Sequence, residues 1–188
     1  MLMITLFSWW LYAISLLVAP TSNPIEEFNI LPSSTLEIRG SSNVNNFTCS
    51  FDMDDISSVS VNYNSSTHKF ESALVQFPVT SFDCGNRMIN KDFRDLLNEK
   101  DYPKLNLRLV EIEPLAEDEV LVTIEFEIAG VKNLYKMPAS FAVMKGYYSS
   151  QGHIELDIED FGLQQPKRML GMIVVSNKID VRFKIDFV

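Results

Sequence analysis

From Val175 to the end of the chain, every second residue is apolar: Val175, Ile179, Val181, Phe183, Ile185 and Phe187, with Asn177 the one polar exception. Between them stand Ser176, Lys178, Asp180, Arg182, Lys184 and Asp186. A helix would scatter these residues around its axis, whereas a strand sends them to opposite faces. One face is greasy and the other charged, so the segment reads as a half-buried strand of an antiparallel sheet.

The same period recurs upstream. Leu36 and Ile38 share a face, as do Phe47, Cys49 and Phe51, and then Val59, Val61 and Tyr63. Residues 69–79 keep Ala73, Val75, Phe77 and Val79 in phase, after a plausible turn at Asn64-Ser65-Ser66. Leu105, Leu107 and Leu109 form another run, and Val120, Val122, Ile124, Phe126 and Ile128 a further one, followed by a turn or kink at Gly130. Phe141 with Val143, and Ile154 with Leu156 and Ile158, complete the set before a loop over about 161–171. The period changes once: Ile89, Phe93, Leu96 and Leu97 lie on one helical face, which predicts a short helix over about 90–99, capped by Asn90 and stopped before Tyr102-Pro103. Some eight strands with hairpin-like spacing and one helix predict an all-β antiparallel fold, a closed barrel or a sandwich.

The first twenty residues differ from everything after them. They carry no charge and include Leu6, Phe7, Trp9, Trp10, Leu16 and Leu17, the pattern of a secretory signal or of an uncleaved anchor. Residues 21–32 read as a polar, Pro-containing connector, and 33–188 as a single barrel domain. In an exported protein the two cysteines, Cys49 and Cys84, suggest a disulfide; two buried thiols are the alternative. The net charge of −9 argues against nucleic acid, whose phosphates require clustered Lys and Arg.

Catalytic residues are scarce. His153 falls on the polar face of a strand and His68 beside a turn, and no nucleophile elbow or zinc spacing is present. Asp52, Asp54 and Asp55 lack the glycine and terminal glutamate of a calcium loop and read as a solvated turn. Glu125 and Glu127 share the polar face of a strand, as an outer wall requires. Asn46-Phe47-Thr48 and Asn64-Ser65-Ser66 match glycosylation sequons, which matter only in a glycosylating host.

What remains is an apolar inner face. Phe47, Phe51, Phe77, Leu107, Phe126, Phe141, Ile158 and Phe183 are in phase to point inward. Phe93 from the helix and Phe161 and Met169 from the last loop are candidates to close the ends, the helix at one mouth and the loop at the other rim. A barrel of about eight strands sits at the size where the interior either fills with side chains or holds one small ligand. The pattern alone leaves both open.

Four segments resemble the YceI-like proteins. Gly40 to Cys49, reading GSSNVNNFTC, is similar to that family's N-terminal motif. Tyr102-Pro103-Lys104-Leu105 resembles its Y-P-x-I segment, and Ile128-Ala129-Gly130-Val131-Lys132 its I-x-G-V segment. Asp160-Phe161-Gly162 with Pro166 resembles its D-F-G-x-x-P loop. Together they span about 36–187; the family's early H-L-G segment is not found. The resemblance implies a lipocalin-like closed barrel exported to the periplasm or secreted. It also implies an apolar lumen holding a lipid or polyisoprenoid, contact with a membrane surface for exchange, and neither a resident cofactor nor catalysis.

Overall fold

The computed structural model describes residues 25–56, 58–64, 69–165, 167–168 and 173–188. Met169, His68 and the apolar segment at the start of the chain lie outside them. Among the described residues no helix is long and apolar enough to cross a membrane.

Four long strands form the body of a nearly closed antiparallel barrel. They are β8 (Lys104–Ala116), β9 (Glu119–Ile128), β10 (Val131–Val143) and β11 (Tyr148–Asp157), and β11 pairs along its whole length with the final strand β14 (Lys178–Phe187), which follows a small separate pair, β12 (Lys167–Arg168) with β13 (Ile173–Val174). Their turns follow from local chemistry. Between β9 and β10 only Ala129 and Gly130 intervene, at φ 48° and 79°, the left-handed pair a two-residue hairpin demands. A Cβ on Gly130 would lie 2.7 Å from the Tyr102 ring, so the ring also requires glycine there.

The remaining wall between β14 and β8 is built twice. At one level β14 pairs β2 (Thr35–Ser41), β2 pairs β3 (Asn46–Phe51), and β3 pairs the two-residue β7 (Phe82–Asp83). β7 continues from β6 (Leu74–Pro78) through a short 3-10 turn, and β6 pairs the first half of β8. At the other level the end of β14 meets β1 (Ile25–Asn29), which pairs β4 (Ser58–Asn64), then β5 (Lys69–Ser72) and the far part of β8. β1 lies within the stretch whose polarity reads as a connector; five residues flanked by prolines are too few to show a period.

The predicted helix is present but begins earlier, as α1 (Arg87–Leu96). Asn86 caps it, its carboxamide oxygen accepting from Met88 N at 3.0 Å and Ile89 N at 2.9 Å. Asn90, expected as the cap, instead braces the turn into the helix. It accepts from Cys84 N at 2.6 Å and donates to Asp83 at 3.0 Å. The bond from Asn90 Nδ2, with one from Gly85 N, holds the Asp83 carboxyl below the usual carboxylate range. Cys49 and Cys84 form a disulfide, tying β3 to the start of α1.

Candidate functional site

Two apolar clusters fill the barrel. One gathers Val122, Ile124, Phe126, Met137 and Leu156 from β9 to β11, and the other Ile38, Phe51, Phe77 and Phe82 around the disulfide. Phe93, Leu105, Leu107, Ile179 and Val181 touch both. The clusters do not meet completely, and a cavity of about 100 Å³ lies between them, bordered by those same five residues. Among the described residues its only polar neighbours are Asn106 and Ser176.

Most elements at this end contribute to the lining, β10 being the exception. Phe47 comes from β3 and packs its ring on Gly40 of β2, where a Cβ would sit only 2.3 Å from the ring. Phe77 comes from β6, Leu107 from β8 and Phe126 from β9. Phe93, Leu96 and Leu97 reach in from α1, and Ile158, Phe161 and Leu163 from the segment after β11. The helix and the loop therefore close the same end, not opposite ends. β11 delivers its loop at the end where β8 starts, and α1 is the element that leads into β8.

Three residues expected at the cavity are elsewhere. Phe51 stands behind the lining, against Phe77 and Phe82 at ring distances of 5.1 and 5.0 Å. Phe183 points inward but is in the middle of the tube beside Gly152, where a Cβ would lie 3.1 Å from its ring and 2.9 Å from Met137 Cε. Met137 and Phe183 thus fill the bore beneath the hollow as a floor layer that does not itself line it. Phe141 lies below that floor, stacked on Tyr148 at 5.9 Å and close to Phe187 at 6.5 Å. Phe187 in turn meets Phe28 edge-on at 5.4 Å. These rings plug the second end, so inward phase places a side chain in the tube without placing it at the hollow. Missed lining residues include Ile128, Leu156 and Val181, whereas Leu97 lines the hollow with Phe93 as its place on the helical face implied. Leu156 and Val181 show the same alternation as their neighbours, and their depth along the barrel decides their role.

A polar staple completes the plugged end. Asp186 is on the outer face of β14 but is only 1% exposed, because residues 31–34 cross over it. Ser33 and Ser149 donate to its carboxylate at 2.6 Å each and Lys184 at 2.9 Å. Burial works against the charge, yet these bonds outweigh it and hold the carboxyl below its ordinary range.

The outer wall accounts for the other charged candidates. Glu125 and Glu127 form ion pairs with Lys132 at 3.4 and 3.7 Å, and Glu125 also faces Arg108 at 3.7 Å. Asp52 caps a 3-10 turn by accepting from Asp54 N at 3.1 Å. Neither set faces the cavity.

A model of the YceI-like domain matches residues 29–187. The chain belongs to the YceI-like family. Solved structures with the same fold include BcnA of Burkholderia cenocepacia, at 19% identity and TM-score 0.65, covering 81% of this chain and 95% of that one. A polyisoprenoid binding domain from Saccharophagus degradans, implicated in plant cell wall breakdown, matches at 17% identity and TM-score 0.66, covering 85% and 97%. A YCEI protein of Campylobacter jejuni matches at 17% and 0.55, covering 68% and 78%. No curated protein matches by sequence. The segments that resemble the family's motifs coincide with the features above: Tyr102 packs against Gly130, and Asp160-Phe161-Gly162 spans the end and the cap of the 3-10 segment, which lines the hollow through Ile158 and Phe161.

Proposed function

We propose that this protein is a non-enzymatic binder of an amphiphile whose apolar chain occupies the cavity between α1 and the floor of Met137 and Phe183. The observation that carries this reading is the lining. Nineteen of the twenty-one described residues around the hollow are apolar. Apolar hollows of this kind stay dry and take up hydrocarbon, each buried methylene contributing roughly 0.8 kcal/mol. A polar head has no partner inside and stays at the rim. The structural likeness to a polyisoprenoid binding domain supports a lipid or isoprenoid tail as the ligand class. Family membership and the uncharged start of the chain support export to the periplasm or secretion.

The size of the hollow favours a second reading. About 100 Å³ admits only a few carbons, so the barrel as it stands is close to filled, as an interaction or structural protein of the envelope would be. A long tail then needs Met137, an unbranched and adaptable side chain, to yield.

Native mass spectrometry of protein purified from its own host, with extraction and identification of lipid, separates the readings. A carrier retains a hydrophobic adduct. A filled barrel carries none and also fails to take up long-chain alcohols on titration. Leu156→Trp, which fills the hollow, should abolish uptake while leaving the fold intact by circular dichroism.

A further inference from the structure

The barrel wall has a seam. β10 and β11 pair only from Ala139↔Gly152 to Val143↔Tyr148, at the plugged end. Above that point β10 stays paired to β9 and β11 to β14, but among the described residues no backbone pairing joins 131–138 to 153–157. Two strand edges therefore diverge beside the hollow, and unpaired edges are what a closed barrel otherwise removes.

A short 3-10 segment, Ile158–Phe161, occupies the mouth of this wedge. It is held unequally on its two sides. Toward β14 it is held firmly: Ile158 N donates to Asn177 O at 2.9 Å, Asn177 donates to Glu159 at 2.6 Å, and Lys178 meets Asp157 at 3.2 Å. Toward β10 two side-chain bonds hold it. Tyr135 Oη donates to Asp160 Oδ2 and Asn133 Nδ2 donates to Asp160 O, both at 2.8 Å. The Tyr135 ring also rests between Phe126 and Phe161, centroids 5.7 and 6.1 Å away, and both of those rings border the hollow.

The wall is thin where the seam begins. An outer groove of about 420 Å³ lies there, and its lining includes Ala139, Gly152 and Phe183, residues of the inward face. Gly152 has no side chain to thicken the wall, and Phe183 belongs to the layer beneath the hollow, not to its lining.

We infer that an apolar chain enters the hollow sideways, between β10 and the 3-10 segment, with the Tyr135–Asp160 hydrogen bond as the latch. The segment swings on its bonds to β14, and release of Tyr135 and Asn133 exposes Phe126 and Phe161 to the incoming tail. The inference rests on the binding function proposed above, and it assigns that site's route of access to the seam, away from the disulfide-tied helix. Entry between strands suits a tail that lies in or along a membrane, because the chain need not be threaded end-on through a rim.

Tyr135→Phe tests it, since the ring packing stays and the latch goes. With a pyrene-labelled long-chain alcohol as the probe, stopped-flow association and dissociation should both accelerate, by about tenfold for one charge-assisted bond, while affinity changes less than about twofold. Asp160→Asn, which keeps one side-chain acceptor oxygen and the main-chain carbonyl but loses the charge, should accelerate less. Hydrogen exchange should quicken selectively in 133–137 and 158–161 of Tyr135→Phe and stay unchanged in 139–143 and 148–152. Unchanged probe rates in Tyr135→Phe, together with faster rates in the Cys49→Ala/Cys84→Ala double variant, would place entry under α1 and overturn the seam. If the wild-type protein takes up no probe, the binding function falls, and the exchange pattern still decides whether this seam opens.

Discussion

The two ends of this barrel solve the same closure problem with different materials. At one end Phe28, Phe141, Tyr148 and Phe187 pack together, stacked or edge-on, and a buried carboxylate fastens the crossing chain outside them. At the other end a helix and a 3-10 segment lie over a hollow, and the wall beside them is not fully zipped. Stability at the first end comes from packing. At the second a covalent bond and a few side-chain hydrogen bonds supplement packing that leaves a hollow. The contrast shows that one continuous alternating pattern can build a plug and a cavity in the same tube.

The disulfide offers the largest lever on that contrast. Replacing Cys49 and Cys84 by alanine should cost roughly 4 kcal/mol in the chain-entropy account of a loop this long, read by urea denaturation. A loss below about 1 kcal/mol would mean that the hollow end packs well enough without its tie.

Aromatic truncation compares the ends directly. Phe187→Ala removes a ring with three aromatic neighbours and should cost about 3 kcal/mol, whereas Phe47→Ala, beside the hollow, should cost about half of that. Equal costs would erase the distinction drawn here.

Asp186→Ala should cost about 2 kcal/mol by stranding the hydroxyls of Ser33 and Ser149. The folded carboxyl titrates below its unfolded value of about 3.9, so its contribution is complete above that pH and is lost as pH falls through the folded value. Thermal melts between pH 5 and pH 2, wild type against Asp186→Asn, should converge at the acid end; parallel curves would remove Asp186 from the account.

The smallest effect is spectroscopic. Burial, the bond to Asp160 and the negative charges of Asp160 and Asp157 push the Tyr135 phenol up to about 12. The difference in ultraviolet titration between wild type and Tyr135→Phe should show one tyrosine ionising near that value. Ionisation near 10 would mean that the latch is open in solution.

Much of this architecture was legible in the alternation, because a half-buried strand has to segregate its two faces. The inner faces of β9, β11 and β14, the helix and the tight turn at Gly130 all follow from local pattern. Other features depend on neighbours. The helix starts at Asn86 and not Asn90 because a second asparagine was needed to brace Cys84. In β8 the register slips between Leu109 and Glu111, so Ile112 takes up the inward position that the run of leucines would have given to Glu111. The cavity itself was only partly legible. Phe126 and Phe141 have the same phase and similar surroundings in sequence, yet one borders the hollow and the other plugs the far end. Depth along a tube leaves no period in the chain, and neither does the seam, which depends on where two strands part.

One consequence follows from the direction of β1. It runs opposite to β14, with Asn29 bonded to Val188, so Ile25 points off the sealed base of the molecule. Whatever grips the protein ahead of Ile25, a bilayer or a bead, would hold it by that base, with the helix facing outward and the side entrance free to meet a second surface.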